Sequence, residues 1–426
     1  MWNRREFLSA TAAAAVTVPF ATGAVAVGTE PERRKRMAIV TTLYKYGMHG
    51  QHMGDRFLHG YPMNGRWNKP RLDTISLYAD QHPKGDLSEE RAKEFGFRVY
   101  PTIAAALRAG SDRLAVDGIA VIGEHGDYPD NEFGQRKYPR YEFFKQIVEV
   151  FKQDGRSVPV FNDKHLSWKW EWAKEMVDTS HSLGFPLMAG SSLPVTWRLP
   201  EVDMPWQGEP EELMCLAYGG RDSYDFHALE TIQCMAERRR GGETGVAWVE
   251  GLDGDAVWQA QARGSWQAGG WSPELFEACL ARTQQLIQPR AGWSHWHPTP
   301  EEIRKMVARP AAYRFQYADG TRATMLLFDG LVADFTFAAK LKNRAEPLST
   351  LFHLPPRPNV QYSAILMSKV EDMFLSGKPP YPVERTLLTS GILAAALQSL
   401  KTGQRMETPH LNVRYEGSKE SFYCRT

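Results

Sequence analysis

Asp117-Gly118-Ile119-Ala120-Val121-Ile122-Gly123 is the stretch on which the fold turns. It is a short, continuous apolar run bounded by turn residues, the pattern of a strand covered on both faces. Downstream, Tyr141 to Gln153 sets Phe143, Ile147 and Phe151 on one face, with Phe144 and Val148 beside them, so a helix is predicted there and Gly155 stops it. Val158-Pro159-Val160-Phe161 reads as the next strand. Trp168, Trp172 and Met176 then recur at i, i+4 and i+8 of another helix, which stops near Gly184, and Pro186-Leu187-Met188-Ala189 is a further strand. Upstream, Met37–Thr42 and Thr74–Ala79 are strand-like, with a polar, aromatic loop expected between them, out to Arg71. Asp86-x-x-Glu89 is a capping box that opens a helix to Phe95, with Gly96 as its stop. Pro101 opens a short helix ending near Gly110. Strands alternating with helices at this spacing predict parallel βαβ units in a doubly wound, Rossmann-like sheet over residues 37–192, with ligands beyond the carboxyl ends of its strands.

Past Gly190–Pro194 the pattern changes. Tyr313–Tyr317, Arg322–Phe328 and Leu331–Ala339 are strand-like and separated by Asp319-Gly320 and Asp329-Gly330, a hairpin signal. An antiparallel meander is predicted, within an α+β domain over 193–426 that has an open, mainly antiparallel sheet. Helices at about Val360–Ser376 and Pro382–Thr402 close it, each followed by Gly.

The chain has 426 residues, enough for two domains, with 42% hydrophobic and 24% charged residues and a net charge of +1. That balance gives no electrostatic case for nucleic acid or an acidic membrane. Thirteen Trp and sixteen Tyr are more than a core needs, and some are expected to line a cleft. Cys215, Cys234, Cys279 and Cys424 show no metal spacing; a Cys215–Cys234 bridge is allowed but not demanded. Residues 1–36 read as an address. Asn3-Arg4-Arg5-Glu6-Phe7-Leu8 matches the twin-arginine export pattern, a small apolar stretch runs from Ala10 to about Val27, and Ala24-Val25-Ala26 is a cleavage-like site. Pro19 and Gly23 interrupt that stretch, which argues against a permanent span. Export would cut the chain off from cytoplasmic pools of soluble cofactors, so any dinucleotide it uses is expected to stay tightly bound.

Candidate chemistry gathers at the expected carboxyl edge. Thr41 ends the first strand, and Gly47, Gly50 and Gly54 lie between it and an expected helix without spelling G-x-G-x-x-G; Gly47 and Gly50 are the candidates for contact with a pyrophosphate. Asp80 ends the second strand, where a carboxylate accepts ribose hydroxyls and favours NAD over NADP. Gly123, Glu124 and His125 follow the third strand, with Asp127 and Tyr128 beyond; no metal is expected, since adjacent residues in one short loop seldom aim at one ion. Lys164, in Asn162-Asp163-Lys164-His165, is placed to hydrogen-bond a substrate hydroxyl and stabilise its alkoxide. His227, in Gly219-Gly220-Arg221-Asp222-Ser223-Tyr224-Asp225-Phe226-His227, is the candidate base, oriented by Asp222 or Asp225. Trp197-Arg198 and Trp293-Ser294-His295-Trp296-His297 are polar-aromatic clusters suited to sugar C–H faces; Trp197, Arg198 and Tyr128 are the expected substrate contacts.

In this order the pieces resemble the glucose–fructose oxidoreductase, inositol dehydrogenase and MocA-like family over about residues 37–415. Asn162-Asp163-Lys164-His165 is similar to its E-K-P motif, with the lysine kept and Glu and Pro replaced. Gly219-Gly220…His227 is similar to its G-G-x-x-x-D-x-x-x-H motif, one residue short, and Ala38–Gly54 stands where the glycine fingerprint belongs. The resemblance implies hydride transfer between tightly bound NAD and a sugar or polyol, and association of second-domain sheet faces into a homo-oligomer. It leaves open an NAD-dependent glycosidase or lyase that oxidises its sugar transiently, and a non-catalytic sugar-binding member.

Overall fold

The computed structural model describes residues 33–287, 290–293 and 296–425. The expected export address lies outside the described residues. From the first strand, the chain runs through β1 (Arg36–Thr41), α1 (His49–Leu58), a small hairpin of β2 (Tyr61–Met63) and β3 (Arg66–Asn68), then β4 (Asp73–Ala79), α2 (Ser88–Phe95) and β5 (Arg98–Val99). α3 (Ile103–Arg108), β6 (Gly118–Ile122), α4 (Arg140–Asp154), β7 (Val160–Asp163), α5 (Trp170–Ser182) and β8 (Leu187–Gly190) follow. The six main strands form one parallel sheet in the order β5-β4-β1-β6-β7-β8. The order reverses between β1 and β6, so the ligand crevice of such a sheet opens at that junction.

Local chemistry explains these elements. β6 is buried at every position, as its unbroken apolar run requires. Gly96 and Gly155 take left-handed caps on α2 and α4. Two local expectations fail. Asp86 does not form a capping box, because its carboxylate is taken by the Ser88 amide and hydroxyl and by His82. The stretch expected as loop out to Arg71 holds α1, which buries His52, Met53 and Phe57.

The second half supplies β9 (Trp197–Leu199), β10 (Pro210–Ala217), α6 (Tyr224–Ala236), β11 (Val246–Asp253), α7 (Asp255–Arg263), α8 (Pro273–Leu280) and α9 (Pro300–Met306). β12 (Ala311–Tyr317), β13 (Arg322–Leu327), β14 (Phe335–Leu341), β15 (Leu348–His353), α10 (Tyr362–Ser376), α11 (Glu384–Thr402) and β16 (Met406–Glu407) complete it. Its sheet has the order β16-β11-β12-β13-β10-β14-β15-β9. The hairpin expected at Asp319-Gly320 forms, but the meander does not continue: β10 inserts between β13 and β14, parallel to the first and antiparallel to the second. β10 earns the central place because it is apolar on both faces. Leu213 and Cys215 face the core under α6 and α11, while Met214 and Leu216 face the core under α7 and α8. The sheet face on which an oligomer was expected therefore carries helices. α10 packs Ile365, Leu366, Val370 and Phe374 into the core of the first sheet with Met37, Ile39 and Phe57, so that layer draws on chain far beyond residue 192. All four cysteines are free thiols. Among the described residues no helix is long and apolar enough to cross a membrane.

Candidate active site

The carboxyl ends of β6, β7 and β8 and the start of α1 face the start of α6 and the segments flanking β14 and β15. Between them lies a cleft of about 250 Å³, lined by Glu124, His125, Asp163, Lys164, His49, His227, Tyr224 and Tyr362, among others. Three residues at or beside it hold left-handed backbone despite carrying side chains: Lys164 at φ 68°, His125 at φ 71° and Asp222 at φ 60°. Each such position costs of order 1–3 kcal/mol and persists only where surrounding structure enforces it. For Lys164 the enforcement is visible, since its amide donates to the Gly190 carbonyl at 3.1 Å.

Lys164 and His227, expected from opposite halves of the chain, meet. Lys164 Nζ contacts His227 Nε2, and His227 Nδ1 lies 2.5 Å from Ser191 Oγ. With Lys164 as the ammonium, Nε2 is the acceptor and Nδ1–H donates to the serine, whose oxygen is fixed by the Leu193 amide at 3.0 Å. Burial pushes the Lys164 amine below its ordinary value, against the opposing pull of Glu124 and Asp163. Burial, and then the Lys164 charge, hold His227 well below the usual histidine value.

Two further groups enter from positions that sequence reasoning passed over. His49, in the first turn of α1, places Nδ1 2.6 Å from Asp163 Oδ2. Burial raises Asp163, and burial followed by Lys164 lowers His49 well below its ordinary value. Glu124 pairs with Arg140, which is fully buried and also reaches His165 Nε2 at 3.0 Å. The i, i+3 spacing of His49 and His52 was available as a signal, but no local pattern announces Ser191 or Arg140. Rings of His52 and His125 lie 4.8 and 5.1 Å from that of His49. Among the described residues no three His, Cys, Asp or Glu side chains form a group that holds a metal.

Other expected residues have different work. Asp225 does not orient His227: it is buried, takes the Tyr313 hydroxyl at 2.8 Å and caps the Ser223 and Phe226 amides. Asp222 accepts from Gln135 Nε2 at 3.2 Å and the Arg136 amide at 2.8 Å, and burial lifts its carboxyl to about 7. Ser191 does the orienting instead. Arg198 is fully buried away from the cleft, bound to Asp203 at 2.5 Å and packed against Phe352 and Tyr423, because β9 is an edge strand that turns it into the core. Trp197, on the same strand, packs beside His353. Gly123 meets no ligand space; a Cβ there would stand 2.7 Å from Arg140 Cγ. Trp293 is exposed, Trp296 bonds Glu302 and His297 bonds Glu277, all away from the cleft; Ser294 and His295 lie outside the described residues.

At the β1–β6 junction, Thr41 Oγ1 donates to Leu43 O and Ile122 O. A Cβ on Gly50 would stand 2.2 Å from Leu43 O and 2.6 Å from Thr41 Oγ1, so this glycine lets α1 pack on β1, as one glycine of a dinucleotide fingerprint does. Gly47 turns the chain at φ 77°. Asp80 accepts the Tyr78 hydroxyl at 2.9 Å and the Tyr128 hydroxyl at 2.7 Å. Tyr128 is thus a partner of Asp80, not part of the cleft wall. Gln81 and the Asp127 backbone exchange two hydrogen bonds, of 3.0 and 2.9 Å. β4 and β6 flank β1, so this bridge spans the end of β1. The donor set fits a dinucleotide: a turning glycine, a close-packing glycine, a ribose acceptor and a lysine-lined cleft.

A wound parallel sheet whose carboxyl edge receives a histidine from a mixed-sheet half defines the class: a two-part α/β fold with a Rossmann-like half. No family model matches the chain, and no curated protein matches it by sequence. Among solved structures it is similar to GenD2 from gentamicin A biosynthesis in complex with NAD, at 14% identity and TM-score 0.55 over 90% of this chain and 99% of that one. It is also similar to myo-inositol dehydrogenase from Lactobacillus casei in complex with NAD(H) and myo-inositol, at 12% identity and TM-score 0.53 over 92% and 100%. Apo scyllo-inositol dehydrogenase from Lactobacillus casei matches at 9% and TM-score 0.54 over 89% and 99%. At these identities the likeness establishes a shared fold.

Proposed function

We propose that the chain is an oxidoreductase of the glucose–fructose oxidoreductase, inositol dehydrogenase and MocA-like family, acting with NAD on a CH–OH group of a sugar or polyol. The observation that carries this reading is the contact of Lys164 with His227 inside a cleft at the carboxyl ends of β6, β7 and β8. Lys164 donates to the oxygen of the reacting hydroxyl and stabilises its developing negative charge. His227, kept neutral by burial beside Lys164, accepts the hydroxyl proton at Nε2, and Ser191 fixes its ring through Nδ1. When bound, the nicotinamide supplies the hydride acceptor. Gly47, Gly50 and Asp80 would hold the dinucleotide, with Glu124 and His125 near its reactive end. The NAD and inositol complexes of similar folds support this assignment.

A second reading has its own observation. The His49–Asp163 pair is an acid–base group additional to His227 in the same cleft. A simple oxidation needs one base, whereas a redox-neutral elimination after transient oxidation uses a second. Export, tight retention of NAD and homo-oligomer formation remain part of the proposal, carried by Arg4-Arg5 and the resemblance. The test is to denature protein purified from its exported form, identify released dinucleotide by mass and absorbance, and challenge native protein with aldoses and inositols. Released NAD with substrate-dependent NADH supports the dehydrogenase; turnover without NADH favours the second reading. Protein that carries no dinucleotide and binds none when it is added sinks both.

A further inference from the structure

A second chamber of about 360 Å³ adjoins the cleft, and the two share Gly47, His52, Arg357 and Val360 as walls. We propose that this chamber is a subsite for a second sugar ring, so that the substrate is a disaccharide or glycoside rather than a free monosaccharide or inositol. The inference rests on the sugar-directed reading above and narrows it. Among the described residues few large apolar side chains are exposed, and two of them, Tyr46 at 71% and Trp67 at 48%, stand at this chamber. Exposed rings gathered at a cavity mark a binding surface more than rings scattered singly. The Trp67 indole is fixed in place, its Nε1–H donating to His59 O at 3.2 Å and its ring edge-on to that of His59. A pyranose presents a C–H face that packs on such a ring.

The polar wall suits the rim of the same sugar. Arg91 Nε lies 3.1 Å from Asp55 and its Nη1 3.3 Å from Glu94, a set of fixed donors and acceptors able to divide adjacent hydroxyls between them. Arg357 stands at the junction of the two spaces, where the bond linking two rings would pass. Two carboxylates, Asp55 and Glu94, stand among three arginines, Arg56, Arg91 and Arg357, so the wall offers both donors and acceptors to a polyhydroxy ring. One ring in the cleft and the next in the chamber bring only the first within reach of Lys164 and His227.

The test uses the full chain and calorimetric or saturation-transfer binding of neutral disaccharides, including cellobiose and maltose, against their constituent monosaccharides and myo-inositol. At least one disaccharide is expected to bind about tenfold tighter than its constituents, roughly the gain of one good stacking contact. Trp67→Ala should shrink that advantage to about twofold, and Trp67→Phe should restore most of it. Tyr46→Ala, at a highly exposed position where folding is not at risk, should reduce it in part. Monosaccharides that bind as well as every disaccharide, or an advantage that survives Trp67→Ala and Tyr46→Ala, overturns the subsite while leaving the oxidoreductase reading in place. Failure of every saccharide to bind, while dinucleotide binds, overturns both the subsite and the sugar assignment.

Discussion

Two stretches of the same sheet edge are built in opposite ways. At the β7 end, Asp163 and Lys164 are buried, Lys164 is held in left-handed backbone, and their partners arrive from α1, α6 and the segment after β8. At the β4 end, Asp80 is exposed and ordinary in backbone, and its partners Tyr78 and Tyr128 come from its own strand and the neighbouring loop. The first is preorganised: its charged groups are buried and held by fixed partners, so charge there is weakly screened. The second is a surface clasp, closed by hydrogen bonds that a ligand can replace at small cost. On the proposed function, chemistry falls to the rigid end and seating of the dinucleotide to the loose end.

The comparison breaks if the two ends respond alike to substitution. Lys164→Met should lower kcat/KM by about 10²–10⁴-fold, the range of a lost acid–base or charge-stabilising group, with dinucleotide affinity changed far less. Equal losses in both would erase the distinction. Arg140→Leu leaves Glu124 buried and unpaired, and should cost about 3–5 kcal/mol in denaturant unfolding. A loss below about 1 kcal/mol would mean that the buried network is not what holds the rigid end.

At the loose end, Gln81→Ala with Tyr128→Phe removes three exposed hydrogen bonds that a seated ligand would replace, and should speed dinucleotide association about fivefold to tenfold in stopped-flow mixing. Unchanged association would show that the bridge does not lie on the entry path. The smallest effect concerns pH. The Asp222 carboxyl is raised to about 7 in the folded chain, against an unfolded value near the ordinary 3.8. The folded state therefore binds more protons between those values, and stability from this group is present below the lower value and lost as pH rises through about 7. Asp222→Asn removes that loss, so its stability relative to the parent should improve between pH 5 and pH 8. A constant difference across that range would sink the assignment.

Much of the edge was legible because strand ends leave marks. Continuous apolar runs such as Gly118–Ile122 place the sheet, and a polar residue directly after each run falls at its carboxyl edge. That logic found Asp80, Glu124 and Lys164. The polar-aromatic pattern misled for Arg198, whose strand is an edge strand facing a core, and the closeness in sequence to His227 misled for Asp225, whose carboxylate is spent on Tyr313 and two amides. The hairpin signal at Asp329-Gly330 was local, whereas the insertion of β10 depends on burying both of its faces. Nothing local could reveal the aromatic pair at the chamber, because Tyr46 and Trp67 belong to different elements.

By itself the sequence determined the wound sheet, the presence of a second, more antiparallel sheet and the candidate pair Lys164 and His227, because burial periodicity and turn chemistry act over a few residues. Only the tertiary structure decided that the pair touch, that Ser191 rather than an aspartate orients the histidine, and that His49 joins Asp163. Those facts depend on contacts between segments tens of residues apart, and close packing, not local pattern, selects which side chains finally meet.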